Sequence, residues 1–177
     1  AMRLIAGLLA GQSFASTLTG NAQLSARPMR RIAEPLTAMG ARVTTTNDHA
    51  PLTVQGGDLR GIEYLSPVPS AQVKSAILLA GLFAADPLSV SEPHQSRDHT
   101  ERMLTARGVS IERESSTVTL TPPRALAALG LFNTAFHRWA TGLLAYLIIR
   151  VPPPAKCSPT SSRPTYSPTQ VIETLTH

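Results

Sequence analysis

The sequence predicts an α/β fold in which units of helix and strand repeat, followed by an irregular tail. Helical and strand patterns alternate over residues 1–130. The string Leu8-Leu9-Ala10-Gly11 returns 70 residues later as Leu78-Leu79-Ala80-Gly81, and similar elements follow each copy. Beyond about residue 130 the composition changes and the repeat stops. These observations together predict a folded body over residues 1–130 and a separate tail over residues 131–177.

The first unit is predicted to begin in a helix and to end in a strand hairpin. Ser25 can cap its second helix, Pro28 suits the first turn of that helix, and Gly40 follows its end. The hairpin would turn across the string Asn-Asp-His. In order, the predicted elements are a helix over 2–10, a strand over 16–19, a helix over 28–39 and strands over 42–46 and 52–55.

The second unit repeats this order and adds a strand at its start. Its first helix is apolar over most of its circumference, which predicts a position in the middle of the domain. The predicted elements are a strand over 61–65, a helix over 70–84, a strand over 88–91, a helix over 100–107 and strands over 110–114 and 117–121. We therefore expect one incomplete unit over about 1–57 and one complete unit over about 58–122.

The tail divides into two parts of different composition. Residues 131–150 are apolar and are predicted to form one more helix. Residues 151–177 contain 6 Pro and 9 Ser or Thr, which favours an extended or disordered segment. No motif in the tail predicts any chemistry, and Cys157 has no base near it in the sequence.

Composition limits the classes of function. A single cysteine excludes a disulfide within the chain and a cysteine-rich zinc site. The longest apolar run, residues 139–149, is shorter than the roughly 20 residues of a membrane span, and no leader is recognised, so we expect a cytoplasmic protein without a membrane partner. The net charge is +5, but the arginines are scattered and only 5% of residues are aromatic. A nucleic-acid-binding module, whose affinity would depend steeply on salt, is therefore disfavoured.

Three predicted helix starts carry groups that suit anions. Free N–H groups and partial positive charge favour phosphate or carboxylate there, and arginine adds a planar fork of donors. Such sites in two similar units can converge on one polyanionic ligand. In the alternative interpretation, each serine is only a cap and each arginine a solvated surface residue. The three strings are Ser25-Ala26-Arg27-Pro28, Ser70-Ala71-Gln72 and Ser96-Arg97-Asp98-His99.

Other polar residues give weaker signals. His94 and His99 are five positions apart, whereas a helical pair of metal ligands is normally four apart, so we expect no metal site. Asp98 and Glu101 are either a carboxylate pair or side chains that complement the dipole of a first helical turn. Lys74 on the long helix is either a catalytic cation or a side chain that extends its amine to solvent, and we favour the second.

Longer strings resemble one enzyme family. The most specific are SAQVKSAILLAGL over residues 70–82 and SRDHTERML over residues 96–104. Shorter ones are AMRL over 1–4, LTG over 18–20, ARPM over 26–29, EPL over 34–36, MGA over 39–41 and PLTV over 51–54. Taken in their order along the chain, over about residues 1–121, the strings resemble the 5-enolpyruvylshikimate-3-phosphate synthase (EPSP synthase) family. The related UDP-N-acetylglucosamine enolpyruvyl transferases share the fold, but the two long strings look like those of EPSP synthases.

The resemblance implies both a fold and a reaction. The family has two domains, each of three βαβαββ units around buried helices, so the chain would hold most of one unit and all of a second. The family reaction transfers enolpyruvyl from phosphoenolpyruvate to shikimate 3-phosphate, in chorismate biosynthesis, without a metal or an organic cofactor. Both substrates are anions, so positioned cations would offset their repulsion and stabilise developing charge.

The resemblance also implies binding residues, but no catalytic ones. The residues that would bind shikimate 3-phosphate are Ser70, Ala71, Gln72, Ser96 and Arg97. The residues that would bind phosphoenolpyruvate are Arg27, Gln72 and Arg3. The family's Lys-Ser element, its Gly-Asp-Ser-Ser string and the Asp and Glu acid–base pair of its second domain have no counterpart here. We therefore expect an EPSP synthase-like transferase or, as the alternative, a non-catalytic half-site. Such a half-site would bind shikimate 3-phosphate weakly or need a complementary domain or self-association.

Overall fold

The computed structural model describes residues 1–124 and 147–150, the latter by their backbone alone. The helices are α1 (Met2–Ala10), α2 (Ala22–Ser25), α3 (Arg30–Ala38), α4 (Ala71–Gly81) and α5 (His99–Thr105). The strands are β1 (Ala15–Gly20), β2 (Arg42–Thr46), β3 (His49–Gln55), β4 (Glu63–Leu65), β5 (Leu88–Ser91), β6 (Ser110–Glu114), β7 (Thr117–Thr121) and β8 (Leu147–Arg150). The predicted α/β class is confirmed, and none of the helices described is long and apolar enough to cross a membrane.

The strands form two sheets with related connections. One sheet has the order β2-β3-β1-β8, and the other has the order β4-β5-β7-β6. In both, a hairpin (β2–β3 or β6–β7) pairs antiparallel, through its second strand, with the strand that follows the first helix of the unit. Beside that strand lies β4 in parallel in one sheet and β8 antiparallel in the other. The fourth strand of the first sheet is therefore β8, which lies more than 100 positions further along the chain than its partner β1.

Helices α1 and α4 pack together between the sheets. Gly7 faces Ala76 so closely that a Cβ on Gly7 would overlap the Ala76 carbonyl group. Every residue of α4 from Val73 to Gly81 is buried, including the polar ones. The predicted central position of this helix is confirmed, and its first turn is left as the part that can reach a ligand.

The second helix of the first unit begins later than predicted. Asn21 caps a separate short turn, α2, where its side chain accepts a hydrogen bond of 3.0 Å from Leu24 N–H. Ser25 ends that turn, and its hydroxyl donates to the Gly20 carbonyl at 3.2 Å. Ser25 is therefore not the cap of the following helix, and Pro28 lies before that helix rather than in its first turn. Proline disfavours a helical conformation at the residue before it, which explains the break between α2 and α3.

Two helix ends and one turn require left-handed backbone. Gly40 and Gly108 follow α3 and α5 with φ of 113° and 83°, so the predicted terminating glycines are confirmed. The hairpin between β2 and β3 turns on Asn47 and Asp48, with φ of 49° and 61°. His49 already belongs to β3, so the turn is one residue shorter than predicted, as is typical of two-residue hairpins.

The prediction of a helix over residues 131–150 is wrong for residues 147–150. Residues 147–150 form β8, which pairs antiparallel with β1 from Thr17 to Gly20. The string LIIR contains two β-branched residues, which favour an extended backbone, and the edge of β1 offers hydrogen-bonding partners. The rest of the predicted tail lies outside the described residues.

Candidate functional site

The first turn of α4 carries two of the predicted binding residues in a capped arrangement. Ser70 is the N-cap, and its hydroxyl accepts a hydrogen bond of 3.4 Å from Val73 N–H. Ala71 and Gln72 follow in the first turn, and both remain half-buried. Because the cap satisfies only one of the free N–H groups of this turn, the start of α4 keeps donors and partial positive charge for an anion.

A residue that the sequence did not single out joins this turn to the segment before α5. Glu92 follows β5, and its Oε1 accepts a hydrogen bond of 2.8 Å from Ser70 N–H. Its Oε2 accepts bonds from the Ser96 hydroxyl at 2.7 Å and from Ser96 N–H at 3.3 Å. One carboxylate therefore holds two predicted binding serines that are 26 positions apart. In the sequence, the only signal for this role of Glu92 is that an acidic residue stands directly after a buried strand.

Lys74 does not extend to solvent, so that prediction is wrong. The side chain is 1% exposed, and its Nζ lies 3.1 Å from Glu92 Oε2 and 2.7 Å from Glu101 Oε1. Two carboxylates, from the end of β5 and from the first turn of α5, thus share one buried ammonium. A buried charge is tolerated when it is paired in this way, whereas a snorkelling side chain needs a route to water. Lys74 anchors α4 to both neighbouring segments.

The environment of Glu92 favours its ionised form. Burial alone would raise the pKa of Glu92, because a charge is poorly solvated inside a protein. The hydrogen bonds from Ser96 and Ser70, together with the hydrogen bond and charge of Lys74, outweigh this effect and hold the pKa below its ordinary value. Glu92 is therefore a fixed acceptor and not a proton donor at neutral pH.

Arg3 connects α1 to the other side of the same turn. Its Nη1 donates a hydrogen bond of 3.1 Å to Gln72 Oε1, and its Nη2 donates one of 2.8 Å to the Pro28 carbonyl. Burial, and then the nearby charges of Arg27 and Arg31, lower the pKa of Arg3. Since the Gln72 oxygen is occupied by Arg3, the amide nitrogen of Gln72 is left to donate to a ligand.

Arg27 and Arg97 supply exposed positive charge on two segments that contact this turn through Arg3 and Glu92. Arg27 lies between α2 and α3, close enough to Arg3 to lower its pKa. Arg97 directly follows Ser96 before α5. Within residues 1–124, neither guanidinium takes part in an ion pair. The structure thus joins Arg3 to Gln72 directly and Ser70 to Ser96 through Glu92. Arg97 directly follows Ser96 in the chain, and Arg27 directly precedes Pro28, whose carbonyl accepts from Arg3.

The weaker candidates do not assemble into a site. Asp98 and Glu101 are not a carboxylate pair, because Asp98 lies 3.8 Å from Arg113 while Glu101 faces Lys74. His94 and His99 are exposed, and the described part of the chain holds no group of three His, Cys, Asp or Glu side chains that would suit a metal. Cys157 lies outside the described residues.

This geometry supports anion binding more than proton transfer. Donors are available at the start of α4 and at the Gln72 amide, and the exposed Arg27 and Arg97 carry positive charge on the neighbouring segments. The two carboxylates nearest to them, Glu92 and Glu101, are both engaged by Lys74. The Ser96 hydroxyl proton points at Glu92, so Ser96 can give this proton to a ligand only by releasing that carboxylate.

The family model for EPSP synthase (3-phosphoshikimate 1-carboxyvinyltransferase) matches residues 1–130. The chain belongs to the EPSP synthase family. An enzyme of Xylella fastidiosa (strain Temecula1) named 3-phosphoshikimate 1-carboxyvinyltransferase is 54% identical over 132 residues, which are 73% of this chain and 29% of that protein. An enzyme of the same name from Xanthomonas campestris pv. campestris (strain B100) is 62% identical over 112 residues, which are 62% of this chain and 26% of that protein.

Solved EPSP synthases have the same fold over this part. The EPSP synthase of Acinetobacter baumannii, solved at 2.37 Å, superposes with a TM-score of 0.67 at 51% identity. The match covers 68% of this chain and 28% of that enzyme. The chain therefore spans less than a third of the length of these EPSP synthases, and the resemblance read from the sequence is confirmed for that part.

Proposed function

We propose that this chain serves enolpyruvyl transfer from phosphoenolpyruvate to shikimate 3-phosphate, as a 3-phosphoshikimate 1-carboxyvinyltransferase. The observation that carries the proposal is the pair of contacts from Ser70 and Ser96 to Glu92. These contacts place the start of α4 beside the segment that carries Arg97, in a chain of the EPSP synthase family. The reaction belongs to aromatic amino-acid biosynthesis, and we place it in the cytoplasm.

The proposed ligands divide between the two sides of the first turn of α4. Shikimate 3-phosphate lies on the side of Glu92, where its phosphate meets the Arg97 guanidinium, a group that binds phosphate through two parallel hydrogen bonds. The residues assigned to it are Ser70, Ala71, Gln72, Ser96 and Arg97. Phosphoenolpyruvate lies on the side of α1, and the residues assigned to it are Arg27, Gln72 and Arg3. Gln72 faces both ligands.

A second candidate is a half-site that binds shikimate 3-phosphate but cannot turn it over alone. One observation favours it. The carboxylates nearest to the proposed ligands are paired with Lys74. General acid–base groups contribute about 10²–10⁴-fold to a rate, so a chain without them would be a very slow catalyst. A complementary domain or a second copy of the chain would then supply the missing groups.

The first experiment is a calorimetric titration of the purified chain with shikimate 3-phosphate. We expect saturable binding that becomes at least about tenfold weaker in Arg97→Ala, because a charged bidentate contact is lost. Arg42→Ala is the matched control, since Arg42 is an exposed arginine on β2 outside the proposed site. No binding by the unmodified chain, or equal affinity in Arg97→Ala, contradicts the proposal. Salt-dependent binding to a DNA duplex would instead indicate the nucleic-acid module.

A second experiment separates the two candidates. Phosphate release is measured with shikimate 3-phosphate and phosphoenolpyruvate together, by the chain alone and then with a fragment carrying the remainder of a full-length relative. Release by the chain alone that disappears in Arg97→Ala supports the complete enzyme. Release only with the added fragment supports the half-site.

A further inference from the structure

Glu92 hydrogen-bonds both Ser70 at the start of α4 and Ser96 before α5, whereas α4 and α5 are joined further along by the Lys74–Glu101 ion pair and by a Ser75–Thr100 hydrogen bond of 2.7 Å. Its Oε1 accepts from Ser70 N–H at the start of α4, and its Oε2 accepts from the hydroxyl and N–H of Ser96 before α5. The same Oε2 lies 3.1 Å from Lys74 Nζ. Both carboxylate oxygens are therefore used, one for each of the two segments.

The contact of Glu92 with both Ser70 and Ser96 depends on the length of the Glu92 side chain as well as on its charge. Glu92 is 3% exposed and follows β5 directly, so its backbone is fixed by the sheet. Lys74 reaches it from the second turn of α4 and neutralises it inside the fold. A buried charge held by several hydrogen bonds and an ion pair has little freedom to move. Glu92 is thus the side chain that holds Ser70 and Ser96 directly, while the Ser75–Thr100 hydrogen bond and the Lys74–Glu101 ion pair hold the two helices together beyond them.

We propose that Glu92 is a positioning residue of the shikimate 3-phosphate site, and that it fixes the spacing between Ser70 on one side and Ser96 with Arg97 on the other. The ion pair with Lys74 holds the Glu92 carboxylate in place. Glu92 makes no contact with the ligand itself. This inference rests on the proposed function, because it takes shikimate 3-phosphate as the ligand that needs both segments at once.

Two variants of Glu92 separate the effect of its side-chain length from the effect of its charge. Glu92→Gln keeps the size but has one acceptor oxygen, so its amide nitrogen faces the donors of one segment. Glu92→Asp keeps the charge and the pairing with Lys74 but is shorter by one methylene, so it cannot reach both segments. Glu112→Gln is the control for Glu92→Gln, since Glu112 is an exposed glutamate on β6. Circular dichroism establishes that each variant is folded.

The first readout compares two ligands that differ in how many segments they need. Shikimate 3-phosphate would contact both segments, whereas inorganic phosphate needs only the Arg97 side. We expect both Glu92 variants to lose about tenfold in affinity for shikimate 3-phosphate, as for a lost hydrogen bond to a charged group, and less than about twofold for inorganic phosphate. Equal losses for both ligands would indicate a general structural role and overturn the inference. So would an unchanged affinity for shikimate 3-phosphate, or full affinity in Glu92→Asp.

The second readout needs no ligand. Hydrogen exchange should become at least about tenfold faster in Glu92→Gln at the amide of whichever serine, Ser70 or Ser96, loses its acceptor oxygen, while the amides of α1 and of β7 keep their rates. Unchanged exchange at both serines overturns the bridging role. If the unmodified chain binds no shikimate 3-phosphate, the proposed function and the ligand assignment fail together. The exchange rates then still decide whether Glu92 holds the two serines.

Discussion

Arg3 Nη1 donates a hydrogen bond of 3.1 Å to Gln72 Oε1 across 69 positions of the chain. The same guanidinium donates to the Pro28 carbonyl, next to Arg27. One side chain thus ties α1, the segment before α3 and the first turn of α4 together. It also decides which end of the Gln72 amide faces a ligand, because the oxygen is already occupied.

Arg3→Lys should weaken the binding of phosphoenolpyruvate in the presence of shikimate 3-phosphate by about five- to tenfold. Lysine keeps the charge but lacks the planar fork, so it cannot hold Gln72 and Pro28 at once. Fluorescence titration measures the affinity, and Arg42→Lys on β2 is the matched control. An unchanged affinity in Arg3→Lys would show that charge alone matters at this position.

Lys74→Met should lower the free energy of unfolding by about 3–5 kcal/mol, because it leaves Glu92 and Glu101 buried without their counter-ion. The double variant Lys74→Met with Glu101→Gln removes one of these two charges and should recover part of the loss. Urea unfolding followed by circular dichroism gives both values. A single variant as stable as the unmodified chain would mean that the ion pairs contribute nothing net.

Acid should destabilise the chain partly through Glu92. The pKa of Glu92 is lower in the folded chain than in the unfolded one, so the folded state prefers the ionised form. The resulting stability is fully present above the ordinary pKa of about 4.3 and is lost as the pH falls through the lower folded value. Urea midpoints between about pH 6 and pH 3 should therefore fall more steeply for the unmodified chain than for Glu92→Gln. Parallel curves would argue against this contribution.

Gly7→Ala should destabilise the chain by about 1–3 kcal/mol, because the added methyl would overlap the Ala76 carbonyl group and push α1 away from α4. The cost should appear even though alanine is the better helix former. Gly57→Ala is the control, since a Cβ there meets nothing within 4 Å. Urea unfolding compares the two, and a Gly7→Ala chain as stable as Gly57→Ala would mean that the helices can separate without cost.

Most regular elements could be predicted from local patterns. Strands 88–91, 110–114 and 117–121 have the predicted bounds, because short apolar or alternating runs lie between clear turn signals. The start of α3 could not be predicted in this way. Ser25 and Pro28 fit the start of a helix as well as Asn21 does. Local patterns therefore do not say which of these residues begins a helical turn. Likewise β8 depends on a partner strand more than 100 positions away.

Helix-start patterns predicted anion sites at the strings that contain Arg27, Ser70 and Ser96, and the family resemblance assigned ligands to them; these roles stay predictions. Glu92 and the true surroundings of Lys74 could not be found from the sequence. A lysine in an apolar helix is compatible with a route to solvent or with a buried partner, and the partners lie 18 and 27 positions further along the chain. Which carboxylate meets a given ammonium is decided by tertiary packing, and local spacing carries no information about it.

The pairing of β8 with β1 has a consequence for handling the protein in solution. Strand edges with free N–H and C=O groups are templates on which further chains add and aggregate. Residues 147–150 cover the β1 edge from Thr17 to Gly20. A chain shortened before residue 147 would present that edge to its neighbours, so its solubility should fall as its concentration rises. The apolar string at the far end of the chain therefore acts as a protective cover for a strand near the beginning.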